Sequence, residues 1–460
     1  MNTTPNSGSA ATWTADFLSE LGAADREFVV HGSTYRTIHR LAAGIRRLGR
    51  SGTENRPLVC LCTENKTCLA AAFLAALSGG PRLVLPYAFS RQAVEEVLKT
   101  VTVSTILADH PGDFPAESQV ILPSMVEETA PVSCHDSVDA DEPFLMLFTG
   151  GSTGTPKVWA KTPRNMIAEA RYMIGRFGIT AEDIFLSTVP PQHIYGLLFS
   201  VLIPLIASAR VLDGIYVFPR EIMKVARETK ASVLVSVPAC YRVLKGNFLK
   251  QHHLRLAFSS AGALDPADAD YFRENAGLDV NEIYGSTETG GVATRRRGTD
   301  GDAWHGLEPV QWQIIDGRLQ VKSPFISPSL PRNQEGFFVT ADRAVEDGPG
   351  CFVLKGRADD VVKVGGKRVD LAEIREKMMK IKGVQDALLV QIPTGQGRPA
   401  DLAALVVTEI DPGTLRQKMT ALVEPYAIPR RFVTVDKIPV TPTGKYDRAE
   451  IQRILDATPL

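Results

Sequence analysis

Residues 147 to 157 read LFTGGSTGTPK, an apolar strand that runs into a loop of Gly, Ser, Thr and Pro closed by Lys157. Glycines let backbone N–H groups turn towards an anion and approach it closely, and hydroxyl groups add further donors. Clusters of small polar residues are usually plain turns, but the strand before this one and the lysine after it favour a phosphate site. The predicted phosphate-binding residues are Thr149, Gly150, Gly151, Ser152, Thr153, Gly154 and Lys157.

The loop matches neither of two common nucleotide-binding patterns. A Walker A loop needs Gly-Lys followed by Ser or Thr, whereas Pro156 precedes the lysine here and Val158 follows it. The G-x-G-x-x-G fingerprint of dinucleotide-binding folds is also missing from this segment. The loop therefore belongs to another class of phosphate site.

The composition is that of an ordinary globular protein with more than one core. The chain has 460 residues, 44% hydrophobic and 22% charged, with a formal net charge of -1. Hydrophobic cores stop growing well below this length, so at least two domains are expected. The balanced charge provides no general attraction to nucleic acid or to an acidic membrane surface, and no nucleic-acid partner is expected.

No segment predicts export or membrane insertion. The longest apolar run, residues 197–206, contains Pro204 and is too short to cross a bilayer. The N-terminal tail lacks a basic stretch followed by an apolar one, so no signal peptide is expected. The cysteines show no CxxC spacing and are expected to be buried thiols, with Cys60 and Cys62 on one face of a strand. We expect a soluble cytoplasmic protein.

Strand and helix patterns alternate up to about residue 285, which favours parallel sheets covered by helices on both faces. The predicted helices and strands are 34–48, 66–77, 91–100 and 219–229, and 57–62, 81–86, 103–108, 210–212 and 232–237. Later elements are a hairpin at 311–323, short strands at 337–355, a helix at 369–381, and strands at 387–393 and 403–407. The predicted fold class is α/β: a large domain of doubly wound sheets plus a β-subdomain over residues 1–356, and a small α+β domain over residues 357–460.

The loop and the motifs after it resemble the adenylate-forming superfamily, which includes acyl-CoA synthetases, aryl-CoA ligases, luciferases and the adenylation domains of peptide synthetases. The family loop usually reads T-S-G-(S/T)-T-G-x-P-K, and this chain departs from it at Gly150, which removes one hydroxyl donor. The resemblance extends from about residue 28 to residue 450. The later motifs follow the family's order and read PPQHIYG (190–196), SSAGAL (259–264), YGSTE (284–288), GFFVTAD (336–342), GRADDVVKVGGKRVDLAEI (356–374) and PVTPTGK (439–445).

The resemblance implies how ATP is held. Tyr284 stacks near the adenine, Thr287 meets the α-phosphate, and Glu288 binds Mg²⁺, a hard cation that prefers carboxylate oxygen. Asp342 accepts hydrogen bonds from the ribose hydroxyls, and Arg357 also contacts the ribose. Further predicted nucleotide contacts are Gly262, Ala263 and Gly285. Ala341 stands where the family usually has Gly, which suggests a position that needs no positive φ.

The resemblance also implies a reaction in two steps: a carboxylic acid reacts with ATP to give an acyl-adenylate and pyrophosphate, and the acyl group then passes to a thiol. It further implies that the small domain is mobile. Lys445 matches the catalytic lysine, Asp359 the hinge between the domains, and Gly365 and Gly366 the loop that lines the tunnel for the pantetheine thiol. His193 lies between the phosphates and the acyl pocket. The predicted lining of that pocket is Tyr195, Gly196, Val237 and Ala261.

The acid and the thiol are less well defined. Family members that activate amino acids place an Asp near the position of Tyr195 to hold the ammonium group, and this chain has none there, so an α-amino acid is disfavoured. The His-Ile-Tyr motif is similar to that of aryl-CoA ligases and is largely shared by fatty-acid enzymes, so an aryl or medium-chain acid is expected. The thiol is either coenzyme A or the phosphopantetheine of a free-standing acyl carrier protein. Arg295–Arg297 and Lys250 are candidate contacts for the 3′-phosphate of coenzyme A. The alternative is a non-catalytic or regulatory homologue that binds an adenylate without turnover.

Overall fold

The computed structural model describes residues 24–48, 56–112, 114–115, 118–126, 138–149, 156–247, 251–358, 360–364, 367–392, 401–441 and 446–457. The chain divides into two compact units. The larger unit consists of Met1–Gln311 with Lys322–Arg332, and the smaller of Trp312–Val321 with Asn333–Leu460. The boundary expected at 356/357 falls inside the smaller unit and stays a prediction.

The first sheet of the larger unit carries the phosphate loop. Its strands are β1 Leu58–Cys62, β2 Arg82–Leu85, β3 Thr105–Ala108, β4 Val120–Ile121, β5 Leu145–Thr149 and β6 Lys157–Lys161. Their order across the described sheet is β4-β3-β1-β2-β5-β6, parallel except for β6, which runs antiparallel to β5. β1 is buried along its whole length, as expected for a parallel strand covered on both faces. The sulfur atoms of Cys60 and Cys62 lie 3.8 Å apart, so both side chains share one face of β1, as predicted.

Side-chain caps fix where the helices of this region begin. The helices are α1 Tyr35–Arg47, α2 Lys66–Leu77, α3 Arg91–Thr100 and α4 Pro163–Phe177. The side chains of Thr34, Asn65, Ser90 and Thr162 each accept a hydrogen bond from the first turn of the helix that follows. The first three helices lie within one or two residues of the predicted ranges.

The second sheet of the larger unit positions most of the candidate site. Its strands are β7 Ile184–Ser187, β8 Arg210–Ile215, β9 Val233–Ser236, β10 Leu256–Ser259, β11 Val280–Ser286, β12 Gly290–Arg296 and β13 Trp304–Gly306. In the described part of this unit they follow the order β8-β7-β9-β10-β11-β12-β13. Strands β7 to β11 are parallel, and β12 and β13 are antiparallel to their neighbours. The associated helices are α5 Ile194–Leu197, α6 Ile203–Ile206, α7 Pro219–Glu228, α8 Pro238–Val243, α9 Pro266–Ala276 and α10 Arg297–Asp300.

The smaller unit contains a meander of strands followed by α+β elements. Its strands are β14 Gln311–Ile315, β15 Arg318–Lys322, β16 Phe338–Glu346, β17 Cys351–Arg357, β18 Val361–Val364, β19 Lys367–Asp370, β20 Val384–Ile392, β21 Asp401–Thr408 and β22 Arg431–Thr434. Its helices are α11 Leu371–Met379, α12 Pro412–Thr420 and α13 Arg448–Ala457. Asp316 and Gly317 both have positive φ and form the hairpin turn predicted there. α11 begins two residues later than predicted, because the Asp370 carboxylate caps its first turn.

The α/β fold class predicted from the sequence is confirmed. Within the described ranges, no helix has the length and apolar character needed to cross a bilayer.

The buried side chains of residues 362–455 include Ile374, Met378, Leu405 and Leu415, which form the core of the α+β elements.

Candidate active site

The carboxyl ends of four parallel strands bring separate motifs to one edge of the second sheet. The PPQHIYG motif follows β7, the segment with Val237 follows β9, the SSAGAL loop follows β10, and the YGSTE motif ends β11. Parallel strands end along a common edge, where ligands bind in open α/β sheets. The order β7-β9-β10-β11 therefore places the acyl-side motifs beside the nucleotide-side motifs.

The two ends of the phosphate loop meet across a hairpin. Thr149 on β5 is the direct partner of Lys157 on β6. The indole Nε1 of Trp159 donates a hydrogen bond of 3.1 Å to the Thr149 hydroxyl and fixes the entry to the loop. Lys157 is exposed at the exit. The two described ends of the predicted phosphate loop therefore lie side by side.

A hydrogen-bonded turn between β11 and β12 presents Glu288. The hydroxyl groups of Ser286 and Thr289 lie 2.9 Å apart, and each accepts a hydrogen bond from the other residue's backbone N–H. The backbone N–H of Ser327 donates to the Glu288 carbonyl at 2.8 Å. A side chain at Gly285 would place its Cβ 2.2 Å from the Gly290 carbonyl, so this turn requires glycine. Thr287 is buried and Glu288 is half-buried.

Two buried charges that the sequence analysis missed lie under this turn. The Lys161 ammonium donates to the Phe325 carbonyl at 3.0 Å, and the Glu169 carboxylate accepts from the Gly291 backbone N–H at 2.7 Å. Burial lowers the pKa of Lys161 to about 8, although Glu169 and Glu288 partly offset the shift. Burial raises the pKa of Glu169. Neither residue lies in a recognisable motif, and their contacts are with residues more than a hundred positions away.

The loop after β10 and the Tyr284 ring are the parts of this edge that are predicted to contact the nucleotide. The Ser260 hydroxyl donates to the Ile283 carbonyl at 2.8 Å, which attaches the loop to β11. Ala261, Gly262 and Ala263 are exposed, and Ala261 adopts φ 70°. The Tyr284 ring packs on Trp304, a residue that no motif pointed to, with centroids 5.5 Å apart.

The residues expected at the acyl side are apolar and aromatic. The Tyr195 hydroxyl donates to the Ser236 carbonyl at 3.1 Å, and its ring packs on Phe199 at 5.1 Å. Burial raises the pKa of Tyr195, which keeps the phenol neutral. A Cβ at Gly196 would lie 2.1 Å from the Pro190 carbonyl, so the turn that carries Tyr195 needs glycine. Val237 is buried.

Comparisons with known proteins agree with this arrangement. The family model described as AMP-binding enzyme matches residues 23–337, more than half of the chain. The chain belongs to the AMP-binding enzyme family. The adenylate-forming superfamily, predicted from the motifs, is thereby confirmed.

The relatives named here are 20–26% identical to this chain over the aligned residues. The p-hydroxybenzoic acid–AMP ligase FadD22 of Mycobacterium tuberculosis is 26% identical over 98% of this chain and 70% of its own length. The mitochondrial acyl-coenzyme A synthetase ACSM2 of Rattus norvegicus is 24% identical over 72% of this chain, which spans 64% of that protein. ATP-bound MatB from Rhodopseudomonas palustris shares the fold, with a TM-score of 0.82, 20% identity, and coverage of 98% of this chain and 99% of that one.

The predicted enzyme class is confirmed at the level of an AMP-forming acid–thiol ligase, since the family and the named relatives agree with it. The particular acid and the acceptor belong to the proposal below.

The two predicted ribose contacts face each other within the smaller unit. Asp342 on β16 and Arg357 on β17 are direct cross-strand partners, and their charged groups lie 3.6 Å apart. The Ala341 carbonyl accepts a hydrogen bond from the Ala358 backbone N–H within an extended strand, where alanine is tolerated as well as glycine. The pairing brings the two residues together, and their contact with ribose stays a prediction.

Two of the candidate contacts for coenzyme A are engaged elsewhere. Arg295 and Arg297 both pair with the buried carboxylate of Glu282, at 2.7 and 3.4 Å. Their side chains are largely buried, so these two arginines do not form the free basic patch suggested by the sequence. Several predicted site residues lie outside the described residues, and their roles stay predictions: Gly150, Gly151, Ser152, Thr153, Gly154, Asp359, Gly365, Gly366 and Lys445, together with Lys250.

Proposed function

We propose that this enzyme activates an aryl carboxylic acid with ATP, releases pyrophosphate, and transfers the acyl group from the adenylate to a thiol. The observation that carries the proposal is the shared sheet edge, which has an apolar, aromatic segment around Tyr195 and, further along the same edge, the turn that bears Thr287 and Glu288. The relative named a p-hydroxybenzoic acid–AMP ligase, matched over nearly the whole chain, supports an aryl acid over a medium-chain one. The composition supports a cytoplasmic location.

In the first step, a carboxylate oxygen of the acid attacks the α-phosphorus of ATP, and the bond to pyrophosphate breaks. Catalysis of such a transfer rests on positioning and on stabilising charge that spreads over the phosphate oxygens. The hydroxyl of Thr287 and the cation of Lys445 are proposed to act on the α-phosphate. The loop that ends at Lys157 is proposed to hold the β- and γ-phosphates.

The residues present suit a magnesium ion that ATP brings to the site. Mg²⁺ commonly uses one or two carboxylates and takes its other ligands from water and phosphate. In the described part of the chain no group of three or more His, Cys, Asp or Glu residues converges as a protein-only metal site. Glu288 is a half-buried carboxylate on a fixed turn and would hold the ion. When bound, the ion would neutralise phosphate charge.

In the second step, the thiol loses its proton, its sulfur attacks the acyl carbon, and the bond to AMP breaks. The acceptor is coenzyme A or the phosphopantetheine of a free-standing carrier protein. The small α+β domain predicted over residues 357–460 is proposed to turn about Asp359, which removes Lys445 and brings in Gly365 and Gly366. Incubating the enzyme with acid, ATP and either coenzyme A or a holo carrier protein, followed by mass spectrometry of the thioester, identifies the acceptor. Adenylate formation without a thioester on either thiol would contradict the second step.

The Lys445→Ala variant is expected to lose acid-dependent pyrophosphate release by at least about a hundredfold, because one donor to developing negative charge is worth that much. The same variant is expected to convert supplied acyl-AMP and thiol to the thioester nearly as well as the wild type. Quenched assays of pyrophosphate release and of thioester formation from acyl-AMP, each run on the wild type and the variant, provide the comparison. Pyrophosphate release that survives in Lys445→Ala would overturn the assignment.

The Asp359→Pro variant is expected to show the opposite pattern. Proline restricts φ and hinders the backbone rotation that a hinge needs, so thioester formation falls more than adenylate formation. Asp360→Ala, at the next position, serves as the control and leaves the backbone free. A parallel loss of both half-reactions in Asp359→Pro would argue against a hinge at this residue.

A further inference from the structure

A buried, two-point ion pair joins β11 to β12 next to the nucleotide side of the site. Glu282 and Arg295 are direct cross-strand partners. The guanidinium donates to both carboxylate oxygens, at 2.7 and 3.0 Å, and both side chains are at least nine-tenths buried. Such charge-assisted, two-point hydrogen bonds fix the relative orientation of their partners.

The carboxylate of this pair also contacts the loop after β10. Its second oxygen accepts a hydrogen bond of 3.3 Å from the backbone N–H of Leu264, the last residue of the SSAGAL motif. The Ser260 hydroxyl holds the start of the same loop to β11. Both ends of the loop are therefore tied to β11, while the residues between them are exposed.

The guanidinium of the pair reaches the tyrosine of the YGSTE motif through a tryptophan. The Arg295 carbon Cζ lies 4.1 Å from the centroid of the Trp304 ring, a cation–π distance. The same indole also packs against the Tyr284 ring, with ring centroids 5.5 Å apart and planes tilted by 52°. Tyr284 lies two residues after Glu282 on the same strand, so both side chains project from one face of β11.

We propose that Glu282, Arg295 and Trp304 are positioning residues that hold the two walls of the adenine site, the loop 259–264 and the Tyr284 ring, and thereby set the preference for adenine over other bases. This inference rests on the proposed function, because it takes these walls to enclose the base of ATP. A buried ion pair is weak evidence for added stability. This pair contacts one wall directly, at Leu264, and reaches the other wall through Trp304, which gives it a specific role.

Three substitutions separate this role from simple support of the fold. Trp304→Leu leaves the ion pair in place and removes the ring that supports Tyr284. Arg295→Met removes the guanidinium from both Glu282 and Trp304. The control is Arg255→Met, which breaks another two-point pair, between a partly exposed guanidinium and the buried carboxylate of Asp183 (2.8 and 2.5 Å), at the amino ends of β7 and β10.

The measurement is nucleotide affinity by titration calorimetry with AMP and with GMP, followed by KM for ATP and for the acid. We expect Trp304→Leu and Arg295→Met to weaken AMP binding and raise KM for ATP about tenfold, the scale of an aromatic or cation–π contact. Their preference for AMP over GMP should fall by a similar factor, with KM for the acid within about twofold of the wild type. Arg255→Met is expected to unfold at a lower temperature and to keep the wild-type preference.

Two results would overturn the inference. One is an AMP-to-GMP preference that is unchanged in a folded Trp304→Leu variant. The other is an equal loss of preference in Arg255→Met, which would show that any weakened ion pair has this effect. Because AMP binding needs no turnover, the calorimetric result stands even if no acid supports pyrophosphate release, an outcome that would refute the proposed reaction alone.

Discussion

Ala261 holds a backbone conformation that alanine rarely adopts. Its φ of 70° lies in the left-handed region, which costs an L-residue about 1–2 kcal/mol. The residue is exposed on the loop after β10, between the attached ends Ser260 and Leu264. Strain of this kind persists where the surrounding structure determines the backbone, and it often accompanies binding sites. Here the hydrogen bonds made by Ser260 and Leu264 hold both ends of the loop and so constrain the backbone at Ala261.

Replacing Ala261 with glycine is expected to stabilise the protein by about 0.5–1 kcal/mol, because relief of the strain exceeds the added entropy of the unfolded chain. Ala263→Gly is the matched control: its φ is not positive, so glycine there is expected to destabilise by about 0.5–1 kcal/mol. Urea unfolding of both variants measures the difference. If Ala261→Gly destabilised the protein as much as Ala263→Gly does, the strain assignment would be wrong.

Single residues also show the limits of sequence reasoning. The motifs identified Tyr284, Thr287 and Glu288 because these positions form a fixed local pattern. For Arg295 the sequence predicts only a possible contact to the 3′-phosphate of coenzyme A, because this residue begins a run of three arginines. Its actual partner, Glu282, lies on the adjacent strand. Cross-strand pairing of this kind depends on register, which a strand pattern alone does not define.

At the scale of elements, the turn between β11 and β12 depends on β6 and α4. Lys161 ends β6 and holds the Phe325 carbonyl, while Glu169 on α4 holds the Gly291 backbone N–H. The Ser327 backbone N–H binds the carbonyl of Glu288, so the segment contacted by Lys161 also supports the turn. Two elements that follow the phosphate loop in sequence thus support the turn that presents the predicted magnesium ligand.

The buried lysine predicts a particular dependence of stability on pH. The pKa of Lys161 is about 8 in the folded protein against an ordinary 10.5. Between these values the unfolded chain binds a proton that the folded chain lacks, so the free energy of unfolding rises with pH. Below about pH 8 both states are protonated and this contribution is constant.

The double variant Lys161→Met/Glu169→Gln removes the titrating lysine without leaving its carboxylate partner charged. Its unfolding free energy is expected to rise less steeply than that of the wild type between pH 8 and 10, by up to about 1.4 kcal/mol per pH unit for one proton. The exposed pair Lys380 and Glu376, changed in the same way, is the control and keeps the wild-type slope. Identical slopes for the wild type and the Lys161 double variant would contradict the assignment.

The elements themselves were largely predictable. Ranges for α1, α2, α3 and α7 came within one or two residues, because side-chain caps and apolar spacing act locally. The helical stretch from Ile194 to Ile206 was not predicted as such: it contains a π-helical turn, Leu198–Leu202, and Pro204. Burial on all sides overrides the propensity signal there. The side chains that support the Glu288 turn are not predictable for a different reason: their contacts are distant in sequence. Lys161 and Phe325, for example, are 164 positions apart.

At the scale of the whole molecule, the order of the motifs identified the superfamily before any geometry was known. The motifs are spread over about 300 residues, yet three of them, together with the segment that carries Val237, follow parallel strands that end at one edge of the second sheet. The pattern of residues predicts which segments are strands. Parallel pairing of those strands in one sheet then places their carboxyl ends along a common edge. The domain boundary at 356/357 stays a prediction, and the smaller compact unit also includes Trp312–Val321 and the strands up to Arg357.

The central claim is that an acid attacks the α-phosphate of ATP, and acid-dependent exchange of labelled pyrophosphate into ATP tests it most directly. A panel should include p-hydroxybenzoate, other aryl acids, medium-chain fatty acids and α-amino acids. We expect exchange with one or more aryl acids, weaker exchange with medium-chain acids and none with amino acids. Calorimetric binding of AMP without exchange for any acid would contradict the claim and would favour a homologue that binds adenylate without turnover.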